Sequence, residues 1–134
     1  MHLSGNEKTI LAVDDDSAVL NLLGAILRPL GFTILSASSG LEAMQLAEKS
    51  AGNIDLLLSD VVMPEMGGPE LAVRLRERYP EVEVMFISGF MKPGLDEDLY
   101  PGRAPGFLRK PFTPSELISK LREYFRPSGE NTCK

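Results

Sequence analysis

Cysteine is nearly missing from this chain: Cys133 is the single one among 134 residues. No disulfide can form within the chain, and a reducing, cytoplasmic setting is the expectation. Histidine is as scarce, with His2 alone in a polar terminus, so no imidazole is at hand for a metal site. No apolar run approaches the roughly 20 residues of a membrane span. The opening MHLSGNEK lacks the apolar stretch of a secretory signal. Positive charge is in deficit, with 14 Lys and Arg against 19 Asp and Glu, a net charge of −5. That balance argues against a nucleic-acid surface, which depends on clustered cations. Internal repeats and low-complexity segments are also lacking. What remains is 43% hydrophobic and 25% charged residues, the make-up of one ordinary globular domain.

Between polar termini expected to be flexible (1–7 and 127–134), short apolar runs alternate with longer periodic segments over residues 8–126. TILAV (9–13), FTILSA (32–37), IDLLLS (54–59), EVMFIS (83–88) and GFLRK (106–110) read as strands. Ser17 opens a helix with Val19, Leu20, Leu23, Ile26, Leu27 and Leu30 at helical spacing. Pro29 disturbs its last turn, and Gly31 stops it. Ser39 to Glu42 and Thr113 to Glu116 both fit a capping box at a helix start, and Pro69 opens a further helix. A short helix is expected around Leu95–Leu99, in a stretch broken by Pro93, Gly94, Pro101 and Gly102. Strands alternating with helical segments imply βα units and a parallel sheet covered on both faces. The expected fold is α/β, a doubly wound five-stranded parallel sheet in the flavodoxin-like order 2-1-3-4-5.

In such a sheet, ligands bind outside the carboxyl ends of the strands. Strand one ends in Asp14-Asp15-Asp16, strand three in Ser59-Asp60, strand four in Ser88-Gly89 and strand five in Arg109-Lys110-Pro111. The proposed order makes these four strands contiguous. A lone Asp or Ser after a strand is usually a helix cap, and Asp16 and Ser17 are read so. Asp14, Asp15 and Asp60 together are not. Two carboxylates about 4 Å apart repel by roughly 4 kcal/mol at an effective dielectric near 20, so three need counter-charge. Lys110 supplies part of it, and an oxygen-only donor set points to Mg²⁺ for the rest. A carboxylate held this way can act as a nucleophile toward a phosphoryl group. Asp60 would attack, Asp15 and Asp14 would hold the metal, and Lys110 and the Ser88 hydroxyl would take phosphoryl oxygens.

AVDDDS, LLLSDVVMPEMGG, MFISGF and FLRKPF, in that order and spacing over residues 8–126, resemble the receiver domain of two-component response regulators, and most of all receivers fused to hybrid histidine kinases. The resemblance implies phosphorylation of Asp60 by a phosphohistidine on a sensor histidine kinase or phosphotransfer protein. It also implies the Val62 backbone carbonyl as a metal ligand beside Asp14, Asp15 and Asp60, and a switch made of Ser88 and the strand-five position, here Phe107 where the family often has Tyr. Ser88 stands where Thr is frequent, and Gly89 where Ala is usual. Such a domain modifies its own aspartate and is not expected to be an enzyme acting on other molecules. Two other readings stay open: a Mg²⁺-dependent phosphatase with an aspartyl nucleophile, and a binding module of this fold that is never phosphorylated. The first lacks an acid at Val62; the second gives no reason to gather repelling charges. The sharp reversal after Lys110 is expected to need a cis Lys110–Pro111 bond, with the lysine nitrogen near Asp60.

Smaller signals have plainer readings. Gly67-Gly68 does not form GxGxxG, Met63, Met66, Met85 and Met91 are expected to be packing residues, and Arg74, Arg76 and Arg78 to form a solvated face.

Overall fold

The computed structural model describes residues 8–89 and 105–125. Five strands, β1 (Thr9–Val13), β2 (Thr33–Ala37), β3 (Leu56–Asp60), β4 (Glu83–Ser88) and β5 (Gly106–Arg109), form one parallel sheet in the order β2-β1-β3-β4-β5. The four described α-helices are α1 (Ser17–Leu27), α2 (Gly40–Lys49), α3 (Gly68–Arg78) and α4 (Pro114–Leu121). This is the doubly wound order expected from the sequence. The termini expected to be flexible (1–7 and 127–134), Met91 and the helix expected around Leu95–Leu99 lie outside the described residues.

Burial follows position in the sheet. Every residue of β3 is buried, as are all of β1 and β4 beyond their first residues, while the edge strands β2 and β5 keep exposed positions. The continuous runs LLL and MFI therefore serve two cores at once, because alternate side chains point to opposite faces. Leu11, Val13, Leu57, Val84 and Phe86 pack with α2 and α3 on one face. Ile10, Ala12, Leu58, Met85, Ile87 and Leu108 pack with α1 and α4 on the other. Each of the larger side chains contributes about 1.5–3 kcal/mol relative to exposure, so the middle of the sheet is the most deeply buried part of the described residues. Met63 and Met85 are buried in these cores and Met66 packs against one of them, in line with their reading as packing residues. Arg74 and Arg78 lie at the surface, paired with Glu70 at 2.9 Å and Glu48 at 3.6 Å.

Local signals set the element ends. Asp16 caps α1 by accepting from the Ala18 amide. Pro29 converts the end of that helix into a 3-10 turn over Arg28–Leu30, closed by Gly31 at φ 100, a conformation glycine adopts at no steric cost. Thr113 and Glu116 form the complete capping box. The box at Ser39 is only half made. Ser39 accepts from the Glu42 amide, but the Glu42 carboxylate accepts instead from the amide and hydroxyl of Ser38, which hold its pKa below the ordinary value. Strand β3 begins later and ends later than the sequence run suggested, so Asp60 itself is its last residue. At the far end of the sheet, Tyr124 donates its hydroxyl to the Val84 carbonyl at 3.1 Å. A Cβ at Gly106 would run into that tyrosine oxygen, so the phenol occupies space left by a missing side chain.

Candidate functional site

Three segments meet at the carboxyl end of the sheet. The β1–α1 loop brings Asp14 and Asp15, the end of β3 brings Asp60, and the turn after β5 brings Lys110. One oxygen from each of the three carboxylates can lie within 4.8 Å of the others. Lys110 Nζ donates to Asp14 Oδ2 at 2.9 Å and stands 3.6 Å from Asp60 Oδ2. Its backbone amide donates to the Ser88 carbonyl at 2.8 Å, tying the end of β5 to the end of β4. The Lys110–Pro111 bond is cis, as expected from the sequence.

The three carboxylates are unequally satisfied. Asp14 accepts from the Asp16 amide on Oδ1 and from Lys110 on Oδ2. Asp60 Oδ1 accepts from the Val61 amide at 2.8 Å. Asp15 is exposed, and no described residue donates to its carboxylate. Burial pushes the Asp60 carboxyl above its ordinary pKa of 3.8, and the Asp14 charge adds to that. Both outweigh Lys110 and the Val61 amide, which act the other way. For Lys110, burial is the largest single influence and opposes the charge, yet the Asp14 hydrogen bond and the Asp14 and Asp60 charges prevail and raise its pKa.

The donor set fits Mg²⁺. It consists of carboxylate oxygens only, it joins three negative charges to one positive, and it leaves the exposed Asp15 carboxylate open to a hard cation. Val62, two residues past Asp60, sits in the loop leaving β3 and is 56% exposed. Ser88 is buried at the end of β4, one residue beyond the Asp60–Ile87 pair. Phe107 is not brought to the carboxylates. It pairs with Phe86 across β4 and β5 and packs, half-buried, on the core that α2 and α3 cover.

Two residues packed against the Asp60 backbone were not singled out from the sequence. The fully buried Ser59 donates its hydroxyl to the Asp60 carbonyl at 2.8 Å. Gly68, at the start of α3, approaches that carbonyl so closely that a Cβ would collide with it, and its amide donates to the Val61 carbonyl at 2.9 Å. The only signal was the Gly67-Gly68 pair after the loop, set aside because it forms no GxGxxG.

Residues 10–122 match the family model of the response regulator receiver domain. The chain belongs to that family. As a receiver domain it is a part of two-component signalling. It is 36% identical over 121 residues to the sensor kinase CckA of Brucella abortus, a match covering 90% of this chain but only 13% of that kinase. It is 34% identical over 116 residues to the response regulator receiver protein CpdR of the same organism, covering 87% of this chain and 95% of CpdR. The crystal structure of the receiver domain from the hybrid histidine kinase CckA superimposes with a TM-score of 0.73 at 36% identity, covering 87% of this chain and 97% of that one. The resemblance to receivers of hybrid kinases is thus found in both sequence and structure. No helix among the described residues is long and apolar enough to cross a membrane.

Proposed function

We propose that this receiver takes a phosphoryl group onto Asp60 from a phosphohistidine on a sensor histidine kinase or phosphotransfer protein, and so switches a surface that a downstream protein reads in the cytoplasm. The observation that carries the reading is the convergence of Asp14, Asp15 and Lys110 on the last residue of a fully buried strand. A cap or turn former needs no such company.

In the step, an Asp60 carboxylate oxygen forms the new O–P bond while the donor's P–N bond breaks, and the imidazole nitrogen leaves with that electron pair. The Lys110 ammonium, already between Asp14 and Asp60, pairs with one phosphoryl oxygen. The Ser88 hydroxyl donates to another. Asp14, Asp15, Asp60 and the Val62 carbonyl would hold Mg²⁺, which when bound neutralises charge on the transferring group. Asp60 is pre-placed by a rigid strand, so much of the orientational cost is met before the donor arrives. Ser88 and Phe107 carry the change onward. Phe107 has no hydroxyl, so its part in the switch is packing alone.

Incubation with Mg²⁺ and a small acyl phosphate, followed by intact mass and peptide mapping, tests the reading. One phosphoryl group on Asp60 is the expected result, and a phosphopeptide containing Ser88 or His2 instead would reject it.

A further inference from the structure

The peptide joining Asp60 to Val61 holds the reactive carboxylate from one side. Its N–H, that of Val61, donates to Asp60 Oδ1 at 2.8 Å. The orientation of that peptide plane therefore sets where the carboxylate lies. Its carbonyl oxygen, that of Asp60, points to the α3 side, where the first turn of α3 closes over it. Gly68 leaves only enough room there for a backbone, and the Ser59 hydroxyl, fully buried, fills the remaining gap and donates to the oxygen at 2.8 Å. A Cβ on Gly68 would lie 3.1 Å from Ser59 Oγ, so the hydroxyl, the glycine and the carbonyl are packed as one unit.

We propose that Ser59 is a positioning residue for the phosphoacceptor: by holding the Asp60 carbonyl against the start of α3, it fixes the Asp60–Val61 peptide plane and, through the Val61 amide, the Asp60 carboxylate. The inference rests on the function proposed above. A buried carbonyl deprived of its donor seeks another, and the peptide rotates to find it. The amide on the other side of the same peptide then leaves Asp60 Oδ1. Rates of group transfer respond steeply to misplacement of this kind.

The test compares the parent protein, Ser59→Ala, and a control, Ser50→Ala, which loses a similar local hydroxyl bond to the Leu46 carbonyl at the end of α2. In metal-free protein, the Val61 amide proton should move upfield and exchange faster in Ser59→Ala only. With Mg²⁺ and acyl phosphate, well below all melting transitions, Ser59→Ala should lose on the order of tenfold in the rate constant at saturating donor. Its half-saturating donor concentration should change little, and Ser50→Ala should keep the parent rate. An unmoved Val61 amide, or a Ser59→Ala rate equal to that of the parent, would overturn the positioning role and leave the phosphoacceptor standing. A parent protein that takes no phosphoryl group on Asp60 would overturn both.

Discussion

Aspartates stand at both ends of strand β3, and their surroundings could hardly differ more. Asp55, just before the strand, accepts the Thr9 amide on its carboxylate at 2.8 Å, and the two backbones exchange a second bond at 2.9 Å. Asp60, at the other end, has one amide donor, a lysine 3.6 Å away and two further carboxylates. The difference lies in the direction of a parallel sheet. At its amino end, the first strand residues offer N–H groups with no earlier partner, so an acid there is satisfied by backbone. At its carboxyl end the strands finish in carbonyls, so an acid there needs a cation or a reaction. The first aspartate is a clamp, and the second is held in readiness.

The comparison breaks if the two residues respond alike. Asp60→Asn should abolish phosphorylation altogether, by intact mass, and should raise the stability of the metal-free protein by on the order of 1 kcal/mol, because it removes a buried carboxylate repelled by Asp14. Asp55→Ala should keep phosphorylation and lose about 1.5–3 kcal/mol, the scale of a hydrogen bond to a charged group. Urea titration that finds both variants destabilised would show Asp60 to be structural as well.

Mg²⁺ sharpens the contrast next. At 100 times its dissociation constant, a ligand specific to the native state adds about 2.7 kcal/mol, which for a chain this size raises Tm by several degrees, roughly 3 °C per kcal/mol. The gain should survive Asp55→Ala and vanish in Asp15→Ala. A parent Tm that ignores millimolar Mg²⁺ would remove the metal from the site.

The pH dependence is smaller and differs in sign between the site's partners. Asp60 has a raised pKa in the fold, so the folded state binds its proton more readily than the unfolded chain does. Its contribution to stability falls as pH climbs from the ordinary 3.8 through the raised value. Lys110 is raised above 10.5, so its stabilisation is fully present below that pH and is lost as pH rises through the higher folded value. The stability gap between the parent and Lys110→Met should therefore hold steady at neutral pH and close in alkali. A gap that stays open in alkali, beyond the lysine's titration, would assign the effect to packing of the lysine stem. The smallest effect concerns caps: Thr113→Ala, which opens a complete box, should cost about 1 kcal/mol and more than Ser39→Ala, measured by thermal melts.

Much of this was legible in the order of residues. Continuous runs such as LLL and MFI marked buried parallel strands, and punctuation by Pro and Gly separated the elements. Once the strand order was set, Asp14, Asp15, Asp60 and Lys110 had to share one end of the sheet. What escaped were bonds between a side chain and a particular carbonyl. Nothing in SDVVMPEMGG says that Ser59 turns back on the next residue's carbonyl, or that Gly68 exists to let α3 approach it. The Ser39 box failed for a similar reason, since Ser38, with a hydroxyl as well as an amide, competed for Glu42. Lys110 was expected beside Asp60 and does reach it, but its shorter bond is to Asp14, a ranking that only distances reveal.

The Tyr124 hydroxyl resting over Gly106 and bonded to Val84 links two positions in heredity as well as in space. A lineage that gains any side chain at 106 must give up or shrink the ring at 124, and one that loses the ring inherits a void beside the opening of β5 that a larger residue at 106 can refill. The two sites should therefore drift as a pair, with glycine facing tyrosine and bulkier residues facing smaller ones. Exchanging both at once would be the mild substitution, and exchanging either alone the harmful one.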